Sequence, residues 1–221
     1  MHFVVHMGDP EFDRLYKIRP LINHFNERYA ALFNPQQVVC VDESLIKFSG
    51  CLSLKQYLPS KRARYGVKMY KLCDRATGYT WSFRVYEGKD SHVEPEDYMG
   101  SAGKIVWDLV SPLFGKGYHL YVDNYYSSVP LFSHLLDQQI GACGTVRPNR
   151  RGFPQRLVDS RLRLGARACC KCNNLLTVKW RDNKNIFVLT TLHADTTVQI
   201  RTATGVVERP LCVHEIGRAH V

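Results

Sequence analysis

The sequence predicts an α/β protein whose elements run βββ-α-β-α-β around a mixed sheet, followed by a second β-rich stretch. Three observations carry this. Short apolar runs bounded by turn formers, at 38–41 and 118–122, read as buried strands, and an aspartate follows each, Asp42 or Asp123. Alternating patterns over 67–73 and 79–86, joined by 74–78, read as a hairpin. Apolar residues at helical spacing separate the later strands.

Taken in order, Leu15, Ile18, Ile22, Phe25, Tyr29 and Leu32 recur at three-four spacing, so 12–33 is an amphipathic helical region with a core-facing stripe. Pro20 should kink or split it, and Pro35 ends it before the first strand. Residues 47–66 are basic and irregular, with Lys47, Lys55, Lys61, Arg62 and Arg64 interleaved by Tyr57 and Tyr65. Such a stretch is either a solvated loop or a surface that holds a phosphate backbone and stacks on bases. In the hairpin Gly78 suits a positive φ, and Tyr79, Trp81, Phe83 and Val85 share one face. Residues 87–97 are an acidic, polar loop.

Ser101 can cap a helix bearing Ile105, Val106, Leu109, Val110 and Leu113, which stops near Gly115 and Gly117. After the Asp123 strand, Ser127 or Ser128 caps a further helix that tolerates Pro130 in its first turn and turns Leu131, Leu135 and Leu136 inward. Residues 141–146 are the fifth strand. This order is that of an RNase H-like fold, in which the first and fourth strands lie parallel and adjacent, so that their C-terminal acids converge. The organisation that follows is a helical segment over 1–36, a core over 37–146 and a β-rich basic stretch over 147–214.

Composition narrows the function. A 45% hydrophobic content is globular, and 30 Lys and Arg against 20 Asp and Glu leave a net charge of +10, which favours a polyanionic partner such as nucleic acid. No apolar run reaches membrane-spanning length, and there is no signal-peptide pattern. The eight cysteines are scattered and read as reduced thiols. Cys169, Cys170 and Cys172 sit at strand spacing; a structural zinc site needs four ligands, and only His193 lies nearby.

An aspartate after a buried strand can simply start a turn. Two on adjacent strands repel each other unless a divalent cation sits between them, which is the core of a two-metal phosphoryl-transfer site. The surrounding residues sharpen this. Val41-Asp42-Glu43, Phe48-Ser49-Gly50, Tyr57-Leu58-Pro59-Ser60-Lys61 and Arg64-Tyr65-Gly66-Val67-Lys68 resemble the first catalytic block of piggyBac-type transposases. Asp123-Asn124-Tyr125-Tyr126-Ser127-Ser128 resembles their second block, and Gly144-Thr145-Val146-Arg147 the segment after it. The resemblance runs from about Asp13 to Arg209-Pro210.

It implies a DDE/D-type DNA strand-cleaving and joining core in which Asp42, Asp123 and a third acid hold two Mg²⁺ ions, with Mn²⁺ as a substitute. It also implies DNA (transposon ends) as partner, a homodimer and a nuclear location. Lys61, Arg64 and Lys68, with Arg147, Arg150 and Arg151 at the head of an arginine-rich stretch, are the expected DNA contacts. A different class of reading is a domesticated DNA-binding or scaffold module whose acids no longer catalyse.

The chain also departs from the family. The third aspartate, in a Gly-Gly-Val-Asp segment beyond an element like Arg209-Pro210, is absent, and Asp182, Asp195, Glu208 and Glu215 lack its neighbours. The chain is thus expected to stop before the last catalytic helix and to be inactive as it stands. Its tail, 215–221, has no family counterpart. Ile216-Gly217-Arg218-Ala219-His220-Val221 is a translation of a common sequencing adapter, so that tail is expected to be non-biological.

Overall fold

The computed structural model describes residues 13–59, 61–88, 99–202 and 205–219. A turn from Asp13 leads into α1 (Arg19–Leu32), which is followed by β1 (Val38–Lys47), β2 (Lys55–Tyr57), β3 (Tyr65–Asp74) and β4 (Thr80–Val85). Then come α2 (Gly100–Val110), β5 (His119–Val122), α3 (Val129–Asp137), β6 (Gly141–Thr145) and the short α4 (Gln155–Asp159). The chain closes with β7 (Arg167–Cys172), β8 (Leu175–Arg181), β9 (Asn185–Thr190), β10 (Thr197–Thr202), β11 (Gly205–Pro210) and α5 (Leu211–Ala219).

Nine strands form one mixed sheet, ordered β2-β3-β1-β5-β6-β9-β8-β7 with β4 beside β3. β1, β5 and β6 are mutually parallel at its centre, and the other pairings are antiparallel. The central strands are apolar on both faces because both faces are covered. Val39, Val41, Leu120, Val122 and Ala142 point into one core with Ile105, Val106 and Leu109 of α2 and Leu131, Phe132 and Leu135 of α3. Cys40, Tyr121 and Cys143, one residue out of phase, point the other way, against Cys212 and Ile216 of α5.

Several local expectations change. Pro20 does not kink a helix. It occupies the first turn of α1, where its fixed φ and missing N–H cost nothing. Only Leu15 and Ile22 of the expected stripe are buried, whereas Ile18 and Leu32 are exposed. α2 starts after Met99 without a side-chain cap, so Ser101 lies inside the helix. Ser128 does cap α3, its hydroxyl accepting from the Leu131 N–H at 3.3 Å, with Pro130 in the first turn. Gly78 has φ +70°, as the hairpin turn requires. A short strand, β2, breaks the basic loop, and the acidic loop read over 87–97 lies outside the described residues from 89 onward.

Within the β-rich stretch after 146, β9 pairs with β6 and carries the main sheet onward through β8 and β7, whereas β10 and β11 pair only with each other in a second, two-stranded sheet. The segment expected to be a non-biological tail continues α5 as far as Ala219. There Ile216 is buried, and Glu215 pairs with Arg75 at 2.9 Å.

Asp74, fully buried, ties the hairpin turn to the entry of β1. Its carboxylate accepts from the Gln36 N–H at 2.8 Å and from the Thr77 N–H and hydroxyl at 2.9 and 2.7 Å. Burial pushes its pKa up, but these donors outweigh the push and hold it below the ordinary 3.8. Asp74→Asn should therefore destabilise the fold by about 1–3 kcal/mol at neutral pH in urea unfolding. A depressed carboxyl stabilises above its unfolded pKa and loses that contribution as pH falls through the folded one. The gap between wild type and variant should accordingly close below about pH 4.

Candidate active site

Strand register sets Asp42 and Asp123 on neighbouring segments. Val38, Val39, Cys40 and Val41 pair in parallel with His119, Leu120, Tyr121 and Val122, so Asp42 and Asp123 are the next residues on adjacent strands. One expectation fails here: β1 does not end at Asp42 but runs on to Lys47, paired with β3 throughout, while β5 stops at Val122. Asp42 thus sits on a strand that outruns its neighbour, and Asp123 opens the turn that leaves the gap.

Each acid is held locally. Asp42 Oδ1 accepts from the Glu43 N–H at 2.7 Å. Asp123 Oδ1 accepts from the Asn124 N–H at 2.6 Å and from the Thr145 hydroxyl at 3.2 Å. Burial pushes the Asp42 carboxyl above its ordinary 3.8, and the charge of Glu43 adds to the push against the Glu43 N–H and Lys61. Ser127, buried, donates to the Asp123 carbonyl at 3.2 Å and fixes the turn.

Glu43, next to Asp42 in the chain and acting on its carboxyl, links the two acid-bearing segments. It accepts from the Tyr126 hydroxyl at 3.4 Å and pairs with Lys61 at 3.3 Å, while the Lys61 ammonium also donates to the Glu43 carbonyl at 3.2 Å. Sequence reading left Glu43 and Tyr126 without a role, although their adjacency to the two aspartates was the available signal. From Glu43 a groove of about 870 Å³ opens along Lys47, Lys55, Lys61, Arg62 and Arg64, so the basic stretch borders the first acid.

The other basic residues expected in the site divide. Arg150 donates to the Asn124 and Tyr125 carbonyls at 3.3 and 2.5 Å, and exposed Arg147 reaches Asn124 Oδ1 at 3.4 Å, so both brace the Asp123 turn. Arg64 and Arg151 are exposed. The ammonium of Lys68 lies over the rings of Tyr70, Tyr125 and Tyr86, at 4.8, 5.2 and 5.8 Å, and burial pushes its pKa down while Glu43 opposes.

Among the described residues no three His, Cys, Asp or Glu side chains converge on one point. Asp195 is taken by Arg167 and Cys169, Glu215 by Arg75, and Glu208 by Thr197. The cysteines of β7 are free thiols. Cys170 accepts from Arg156, and His193 instead meets Thr190 and Tyr121.

The mixed sheet thus carries Asp42 and Asp123 just past a matched parallel strand pair, with a basic groove opening from Glu43. The profile of the family described as Transposase IS4 matches residues 2–219, and the chain belongs to that family. It is 28% identical over 138 residues to human PiggyBac transposable element-derived protein 3, covering 61% of this chain and 23% of that protein. It is 29% identical over 154 residues to human PiggyBac transposable element-derived protein 2, covering 68% and 26%. The chain therefore spans about a quarter of these curated relatives.

The cryo-EM structure of a piggyBac transposase synaptic complex with hairpin DNA superposes with a TM-score of 0.81 at 25% identity, over 94% of this chain and 43% of that one. The piggyBac resemblance read from the sequence holds.

Gly144, on β6 beside the Asp123 turn, has no room for a side chain. A Cβ there would come within 2.5 Å of both Ser127 Oγ and the Val122 carbonyl. Gly144→Ala should cost about 1–3 kcal/mol in urea unfolding, because a strand carbonyl cannot rotate aside.

Proposed function

We propose that this chain carries the catalytic core of a DDE/D-type DNA transposase, with Asp42 and Asp123 as two of its metal-binding acids. The observation that carries the reading is the matched register of the two aspartates at the end of a parallel strand pair. Three antiparallel strands beside a parallel pair, with helices on the sheet, support an RNase H-like core. DNA as substrate is supported by the basic groove at Glu43 and by the structural neighbour, itself a transposase complexed with hairpin DNA.

The donor set fits Mg²⁺, which takes hard carboxylate oxygens, and the half-buried Asp42 carboxyl lacks a direct cationic partner among the described residues. When bound, Mg²⁺ would lower the pKa of an attacking water or 3′-hydroxyl and stabilise the leaving oxygen. The protein's share is positional. Thr145 and the Asn124 N–H aim Asp123, the Glu43 N–H aims Asp42, and Tyr126 holds the two segments at a fixed spacing. Lys61, Lys68, Arg147 and Arg150, near the two acid-bearing segments, and the exposed Arg64 and Arg151 would supply positive charge that suits a phosphate backbone.

Two carboxylates hold two cations poorly, so the 221-residue chain should neither cleave nor join transposon ends in Mg²⁺. Robust strand joining abolished by Asp42→Ala would show that another acid completes the site. Mn²⁺ binding followed by electron paramagnetic resonance should weaken at least tenfold in Asp42→Asn and in Asp123→Asn with the fold intact. Unchanged affinity in both would remove the carboxylates from the metal site.

The chain should bind duplex DNA without sequence preference, and affinity should fall at least tenfold between 50 and 200 mM salt through counterion release. Binding indifferent to salt in an anisotropy titration would overturn the DNA reading.

A further inference from the structure

Most cations around the two aspartates are already engaged. Lys61 is paired with Glu43, Arg150 is tied to two backbone carbonyls, and Arg147 reaches Asn124. Lys68 differs. Among the described residues its ammonium makes no hydrogen bond and no ion pair. It stands over three tyrosine rings, with centroids at 4.8, 5.2 and 5.8 Å, while the charges of Glu43 and Asp42 act on it from nearby.

The three rings come from three places: Tyr70 from β3, Tyr86 from just after β4, and Tyr125 from the turn that Asp123 opens. Tyr70 is itself buried and packs edge-on against both Tyr86 and Tyr126. Aromatic faces stabilise a cation but accept no conventional hydrogen bond, so the ammonium keeps its three N–H donors for water or an incoming ligand. A half-buried ammonium seated on ring faces, with no carboxylate or carbonyl of the described residues to displace, suits an anionic oxygen.

We propose that the tyrosine-held ammonium of Lys68 receives a non-bridging oxygen of the phosphodiester that reaches Asp42 and Asp123, while Lys61 remains the partner of Glu43. The inference rests on the DNA reading above and assigns one residue within it. The rings restrict the lysine to one position, so the contact is made by a fixed donor and not by a mobile surface chain. Tyr125, two residues after Asp123 in the same turn, couples that position to the second acid.

The test uses the whole 221-residue chain and a short fluorescent duplex titrated by anisotropy from 50 to 250 mM NaCl. Lys68→Gln should flatten the slope of log affinity against log salt by about 1 and weaken binding about fivefold to tenfold at 0.1 M. A Lys68→Gln slope equal to that of the wild type overturns the proposal. Nitrogen-15 spectra of the lysine ammonium groups supply a readout that does not depend on how the variant folds. The Lys68 signal, displaced by the ring currents, should shift when the duplex is added, and a signal unmoved at saturation also overturns the assignment. If the wild-type chain binds no duplex even at 50 mM salt, the DNA reading falls and takes this inference with it. Normal wild-type binding with an indifferent Lys68 removes this inference alone.

Discussion

The parallel pairing of β1 with β5 is the contact on which the rest of the structure depends. Val39, Val41, Leu120 and Val122 are fully buried on one face of that pair, and burial of each such side chain contributes about 1.5–3 kcal/mol. That apolar face fixes the register that sets Asp42 and Asp123 on neighbouring segments. α2 and α3 cover the apolar face, α5 covers the other, and β6 extends the parallel set far enough for Thr145 to reach Asp123.

Around that pair the charges play two different parts. Lys61, Arg147 and Arg150 spend their hydrogen bonds on the protein and stiffen the segments next to the acids. Arg64 and Arg151 face solvent and add only to the field that a polyanion meets. A net charge counts all of them alike. The structure separates residues that shape the site from residues that attract toward it.

Much of this was legible in the sequence because strand signals are local. The runs before Asp42 and Asp123, the Gly78 hairpin and the Ser128 cap each rest on a few neighbouring residues, and each formed as read. The extension of β1 past Asp42 was not legible, because Glu43, Ser44 and Lys47 are polar residues whose strand geometry is imposed by β3 alongside. The same holds for β9, whose pairing with β6 is a long-range choice that periodicity cannot express. Glu43 and Tyr126 stood inside the recognised blocks, but their link joins residues 83 apart in the chain. Sequence could name both residues and could not bring them together. The α1 stripe misled in the other direction, since helical spacing shows which residues share a face and not whether anything covers it.

The continuity of the sheet bears on how the chain reaches this state. Its hairpins, β3–β4 and β8–β9, join neighbours in sequence and can form early. The β1–β5 and β6–β9 pairings close long stretches of chain, and contacts of that kind slow folding. Both lie at the centre of the sheet, so the strands that lead to Asp42 and Asp123 depend on the least local contacts of the fold. Unpaired, the edges of β1, β5 and β6 are the strand edges through which a growing chain would misassociate.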